Sequence, residues 1–301
     1  MKIFWKYALA VALGLAALQA RAINIVTCEP EWAALVQELA GDKAAVFSAT
    51  TALQDPHRIE ARPSLIARMR NADLLVCTGA ELETGWLPLL LSQSGNPRVQ
   101  AGRPGNLEAA QFVERLEIPA RVDRSQGDVH AGGNPHIHTD ARNIAKVAAV
   151  LGERLAQIDA PNALAYRART RDFLDRWRAA VQKWEQQAAP IKGMAVVVHH
   201  REWTYLLTWL GLREAGSLEP RPGVPPTPTH LAGLLQDLQR SPAQAVIYSP
   251  YNDARAAAFL SQRARIPAIM LPYTVGGSDR AKDLFGLFDD TLARLLSAKM
   301  P

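Results

Sequence analysis

Past residue 22 the chain alternates short apolar runs with stretches in which apolar side chains recur every three or four residues. Ile23–Thr27, Ala45–Phe47 and Leu74–Val76 predict strands. Glu31–Leu39, closed by Gly41, and Ser64–Arg70, led in by Pro63, predict the helices between them. In the second half Met194–Val198, Ala245–Tyr248 and Ala268–Leu271 predict further strands, and Phe285–Leu296 a closing helix. Strands alternating with amphipathic helices make βαβ units, so the fold class is α/β with parallel sheets. Two segments break the rhythm. Asn96–Gly105, rich in Gly, Pro and Asn, predicts a loop, and the proline-rich run Glu219–Thr229 predicts a stiff, extended loop before a helix opening near Thr229.

Between the halves lie a helical stretch from Asp140 to Ala156 and a longer one from Asn162 to Gln187, the second preceded by Pro161. Tyr166, Phe173, Trp177, Val181 and Trp184 recur along the longer one at helical steps, with charges between them. At 1.5 Å per residue it would be about 40 Å long, enough to run beside two domains. The strand–helix alternation restarts directly after Pro190 and Gly193, so this stretch reads as a connecting backbone.

Residues 1–22 read as an export leader. Lys2 and Lys6 precede the apolar stretch Tyr7–Leu18, and Ala20-Arg21-Ala22 offers small residues around a cut near Ala22. The stretch is shorter than the ~20 apolar residues that span a bilayer, and no cysteine stands directly after the cut to carry a lipid anchor. A soluble, exported product is expected. Without Lys2, Lys6 and Arg21, the 34 basic residues become 31 against 29 acidic ones, and the net charge falls from +5 to +2. Neither this balance nor any basic run interleaved with aromatics points to nucleic acid. The remaining chain of about 280 residues exceeds what one compact core usually holds, so one large or two medium domains are expected.

Cys28 and Cys77 each end an apolar run, INIVTC and DLLVC. In a doubly wound sheet of order 2-1-3 these strands are neighbours, and both cysteines lie at one carboxyl edge. An oxidising compartment permits a bridge there, and two buried free thiols are the other reading.

The candidate chemistry is carried by histidines. His57 stands in DPH, His136 in NPH, and His200 closes the apolar run MAVVVHH at a strand's carboxyl edge, where open α/β sheets hold ligands. Asp55 or Glu60 is placed to hold the second ring nitrogen of His57, as the outer shell of a ligating histidine does. A turn histidine bonded to its own loop is the alternative. His130 and His138, in GDVHAGGNPHIHTD, read either as a weak capture site for incoming metal or as solvent-facing polar residues. His199 is one residue back from His200 and faces elsewhere, and His230 reads as a surface residue at a helix start. Three converging neutral imidazoles favour zinc over magnesium or calcium.

In combination these segments resemble the periplasmic solute-binding proteins of metal ABC transporters, the cluster that carries zinc and manganese. QDPHRIEARPSLIARMRNADLLVCTGAELE resembles that family's first metal-ligand loop with its following helix and strand, and NPHIHTDARN its second motif, D/N-P-H-x-W-L-D-P. HREWTYLLTWLGL resembles the third, H-x-x-W/F-x-Y, and LEPRPGVPPTPTHLAGLL the proline-rich segment before the next helix. The resemblance covers nearly all of the chain after the leader. It implies two α/β lobes, 23–159 and 191–301, each with a central parallel sheet flanked by helices, joined by a backbone helix at 160–190 with metal in the cleft.

The same resemblance implies His57, His136 and His200 as ligands. Manganese-binding relatives commonly carry a carboxylate where this chain has His200, so Zn2+ is the expected cargo and Mn2+ the less favoured one. Many relatives add an aspartate in a turn after the last strand. Here Thr274 stands near that position in LPYTVGGSDRAKDLF, and Asp279, beyond the Gly276-Gly277 hinge, is the expected fourth ligand. Asp283, Glu219 and water are the alternatives. The implied partner is the membrane permease of the transporter, with a periplasmic metallochaperone as a second. The implied product is a periplasmic monomer without enzymatic activity. Two other readings use the same site: a secreted zinc hydrolase with Glu202 or Glu219 as general base, and an adhesin or zinc chaperone. The chain lacks HExxH, the zinc-protease pattern.

Overall fold

The structure is a computed structural model that describes residues 22–298 apart from 122, 124–126 and 128. The expected leader thus lies outside the described residues, save Ala22. The first lobe runs β1 (Ile23–Thr27), α1 (Pro30–Ala40), β2 (Ala44–Ser48), α2 (Pro63–Arg70), β3 (Leu74–Cys77), α3 (Leu87–Ser94), β4 (Asn106–Glu108) and α4 (Ala141–Ile158). α5 (Ala163–Ala188) follows. The second lobe runs β5 (Ala195–Val198), α6 (Thr204–Leu210), β6 (Arg213–Ser217), α7 (Pro228–Arg240), β7 (Ala245–Tyr248), α8 (Ala254–Ala264), β8 (Ala268–Met270) and α9 (Leu284–Ser297).

Each lobe holds one four-stranded sheet, ordered β2-β1-β3-β4 and β6-β5-β7-β8, with every pairing parallel. Ile25 sits opposite Val46 on one side and Leu74 on the other. Helices cover both faces, which is why β3 and β5 read as unbroken apolar runs rather than alternating ones. α1 shows the complementary logic: Trp32, Leu35, Val36 and Leu39 fall on one stripe and are all buried. The 2-1-3 order sets Cys28 beside Cys77, and the two are joined by a disulfide with a Cα separation of 4.8 Å.

α5 packs on α1 and α4 of the first lobe and on α9 of the second. Its stripe of Tyr166, Phe173, Trp177 and Trp184 is fully buried in a core that continues into both lobes. Trp177 meets Phe285 at 4.9 Å and Phe288 at 5.6 Å between centroids, while its Nε1 donates to the Ala141 carbonyl. Trp177→Ala would remove this junction at a cost of about 3–5 kcal/mol.

α3, β4, α6, β6 and α8 were not apparent from the pattern of the chain. β4 is three residues long, and β6 (REAGS) is an edge strand without a bulky apolar residue. α3 (LPLLLSQS) and α6 (TYLLTWL) are short and mostly apolar, without the interleaved charges that mark a helical period. Among the described residues no helix is long and apolar enough to cross a membrane.

Candidate metal centre

DPH and NPH build the same local device. Asp55 Oδ1 accepts the backbone N–H of His57 at 3.0 Å, and Asn134 Oδ1 accepts that of His136 at 3.0 Å. In each motif an Asx turn and an intervening proline fix the backbone that carries the ring. Trp86 Nε1 then donates to the Pro56 carbonyl, pinning the first loop to α3's entrance. Asp140 caps α4 by accepting from Arg142 N–H, and the Asn143 side chain donates to the Ile137 carbonyl, anchoring the second loop from its far end. His200 needs no such turn, since it directly follows the β5 extension, in extended backbone.

These three loops bring His57, His136 and His200 to one point. Their ring centroids form a near-equilateral triangle with sides of 5.2, 5.5 and 5.5 Å, and one potential ligand atom from each lies within 4.8 Å of the others. Each Nδ1 is held at 2.7 Å: His57 by Asp55, His136 by the Tyr273 hydroxyl, His200 by Glu219 Oε2. In a neutral ring, an Nδ1–H donating to these acceptors leaves Nε2 as the free lone pair, the form that binds metal. The Nε2 of His57 is in fact buried without a partner. Asp55, not Glu60, is therefore the support of His57.

The electrostatics differ from ring to ring. Burial, and then the neighbouring His57 and His200, hold His136 well below the usual imidazole range, so it is neutral. For His200 burial opposes charge, but the bond to Glu219 and the charges of Glu202, Glu219 and Asp55 outweigh it and raise the ring to about 9. Asp55 is lowered despite its burial, chiefly by the bond to His57. A cleft of about 540 Å³ leads to the cluster, lined by Asp55, His57, His199, His200 and Tyr251 among others.

The remaining expected residues fall elsewhere. Asp279 does not join the cluster: it is exposed on the turn after β8, where Gly276 N–H bonds to Ala281 O and Gly277 N–H to Thr274 O. The turn closes on itself, and the glycine pair serves that closure instead of swinging Asp279 inward. Asp283 is exposed and caps α9 by accepting from Gly286 N–H, while Glu219 is committed to His200 and to Gly223 N–H. His138 is neither a capture residue nor solvent-facing. It is fully buried, its Nε2 on the Tyr273 carbonyl and its Nδ1 3.2 Å from Glu31. Thr274, also buried, donates to Glu31. His230 is half-buried with Nε2 on the Ser217 carbonyl. His130 stacks on His57 at 5.4 Å, and burial together with His57 and His200 lowers it to about 4.

Tyr273 and the Glu31–His138–Thr274 network were not foreseen. His138 and Thr274 stood out singly in the sequence, but nothing there joined them to Glu31 or Tyr273 to His136, because these partners lie on segments more than a hundred residues away.

Two α/β lobes on a shared backbone helix, with a histidine cluster where their loops meet, define a solute-binding architecture. A solved ZnuA structure superimposes with a TM-score of 0.75, at 19% identity, over 91% of this chain and 99% of that one. The cadmium-bound periplasmic metal-binding protein of Candidatus Liberibacter asiaticus gives 0.74 at 14% identity, over 92% and 99%. The chain belongs to the family described as zinc-uptake complex component A, periplasmic (ZnuA), whose model matches residues 25–298. It is 27% identical over 294 residues to the high-affinity zinc uptake system protein ZnuA of Paracoccus denitrificans, covering 86% of each chain. It is 24% identical over 266 residues to the manganese ABC transporter substrate-binding lipoprotein PsaA of Streptococcus pneumoniae, covering 84% of this chain and 80% of the relative.

Proposed function

We propose that this protein captures Zn2+ between its two lobes in the periplasm and hands it, as a monomer, to the permease of an ABC transporter. His57, His136 and His200 are the proposed ligands. The observation that carries this reading is the triangle of three imidazoles, each with Nδ1 held at 2.7 Å by an acceptor. Zinc takes nitrogen ligands at about 2.0–2.1 Å in tetrahedral geometry, and borderline nitrogen donors suit it better than manganese. Because the donors come from loops of both lobes, binding and lobe contact are coupled, which suits cargo that must later be released. A periplasmic metallochaperone is a proposed second partner.

A hydrolytic reading is not favoured. It needs a free general base beside the ion. Glu219 holds His200 Nδ1 and Gly223 N–H on its Oε2, and Glu202 is fully buried, with Oε1 on the Ser249 hydroxyl, and lines neither cavity at the cluster, so no water at the ion reaches it. Calorimetric titration of the exported chain tests the proposal. One zinc per chain is expected, and its loss when His57, His136 and His200 are all changed to Ala. One tightly bound zinc in that triple variant would overturn the assignment.

A further inference from the structure

The three-histidine triangle leaves tetrahedral zinc one ligand short. Asp279 and Asp283 are exposed, while Asp55 and Glu219 already serve ring nitrogens. Glu202 is fully buried, with Oε1 on the Ser249 hydroxyl, and lines neither cavity at the cluster. One further donor stands at the cluster. His130 packs its ring on His57 at 5.4 Å with an interplanar angle of 26°, and its Nε2 is buried with no partner, as is that of His57. A second cavity of about 150 Å³ is lined by His130, His136 and His200 together.

The backbone around His130 is built to present it. Ala80 and Glu81, just after β3, hold φ of 50° and 69°, left-handed values that side chains other than glycine rarely adopt. Backbone of this kind persists where the surroundings demand it, commonly at functional sites. Here it places the Glu81 carbonyl on the His130 ring and the Glu81 carboxylate on the Ala131 N–H at 2.6 Å. His130 thus resembles His57, with an acceptor on one side of the ring and a buried nitrogen without a partner on the other. Charge points the same way. Asp55 and Glu219 already supply two negative charges at the rings they support, which balance a divalent ion, and a neutral imidazole keeps that balance where a further carboxylate would upset it.

Resting on the reading of His57, His136 and His200 as zinc ligands, we propose that His130 is the fourth ligand, closing an all-imidazole site. His130 lies outside the group of three whose donor atoms fall within 4.8 Å, so ligation draws its ring inward from its place against His57. An all-nitrogen site discriminates against manganese, which prefers oxygen donors, and His130 is then a determinant of specificity.

The test uses the exported chain labelled with 15N-histidine, titrated with zinc and followed by long-range 1H–15N spectra that read both nitrogens of every ring. His130 is assigned by the signal lost in His130→Ala. Its Nε2 is expected to move to the metal-bound range with the first equivalent of zinc, together with those of His57, His136 and His200. In calorimetry His130→Ala is expected to weaken zinc about 10–100-fold, the loss typical of a damaged metal shell, and to weaken manganese by less, so the preference for zinc narrows. A His130 signal unmoved while the other three shift would overturn this proposal and leave the three-histidine site intact. Zinc bound with no shift in those three would instead overturn the site itself.

Discussion

The hydroxyl of Tyr273 lies 2.7 Å from Nδ1 of His136, a bond between residues 137 positions apart that joins the turn after β8 to the loop before α4. Burial holds this phenol far above its ordinary range, so it stays protonated and neutral. It orients the most buried imidazole of the cluster without adding charge to it.

Tyr273→Phe keeps the ring and its packing on His138 but strips His136 of its acceptor. Zinc binding should weaken about 10–100-fold, as for other losses of a ligand's support. Calorimetry measures the affinity, and circular dichroism should show an unchanged fold.

Zinc uptake should release a proton. His200, raised to about 9, is protonated in the free protein at neutral pH and must lose that proton to bind metal. Apparent zinc affinity should rise about tenfold per pH unit between about pH 7 and 8.5, the slope for one displaced proton. Repeating the titration in buffers of different ionisation enthalpy counts the proton directly, and Glu219→Gln should lower the count. The metal-free fold shows the opposite trend. A raised histidine stabilises it fully below the unfolded value of ~6.5. That contribution fades as pH climbs through about 9.

Thr274→Val leaves the Glu31 carboxylate without its hydroxyl donor at a site with no access to water. The expected cost is about 1–3 kcal/mol, seen as a lower denaturant midpoint at unchanged slope. Zinc affinity should fall less than in Tyr273→Phe, since Thr274 touches no proposed ligand.

Removing the Cys28–Cys77 bridge by changing both residues to Ser should cost about 2–5 kcal/mol, because the bridge closes a long loop of the unfolded chain. His57 lies within that loop, but Asp55 and Trp86 hold it locally. Zinc binding measured well below the melting temperature should therefore be retained.

Sequence by itself determined a good deal of this protein, for reasons that are local. Side-chain period separates strand from helix, so the α/β class, the long α5 and the 2-1-3 neighbourhood of Cys28 and Cys77 were legible in the chain. DPH and NPH were legible as well, because an Asx acceptor and a proline act within three residues. β4 and α6 escaped because they are short, and the edge strand β6 because REAGS carries no bulky apolar residue.

What only the tertiary structure decided is which polar groups meet. Asp279 looked able to swing inward on two glycines, yet backbone bonds from Gly276 to Ala281 and from Gly277 to Thr274 close that turn and leave it in solvent. His138 looked free and is buried between Tyr273 and Glu31, while His130 looked peripheral and packs on His57. Tyr273 carried no signal as the support of His136. Apart from the local turn at Asp279, these outcomes turn on contacts between loops far apart in the chain, some within the first lobe and some across to Tyr273, and no spacing along the chain encodes that geometry.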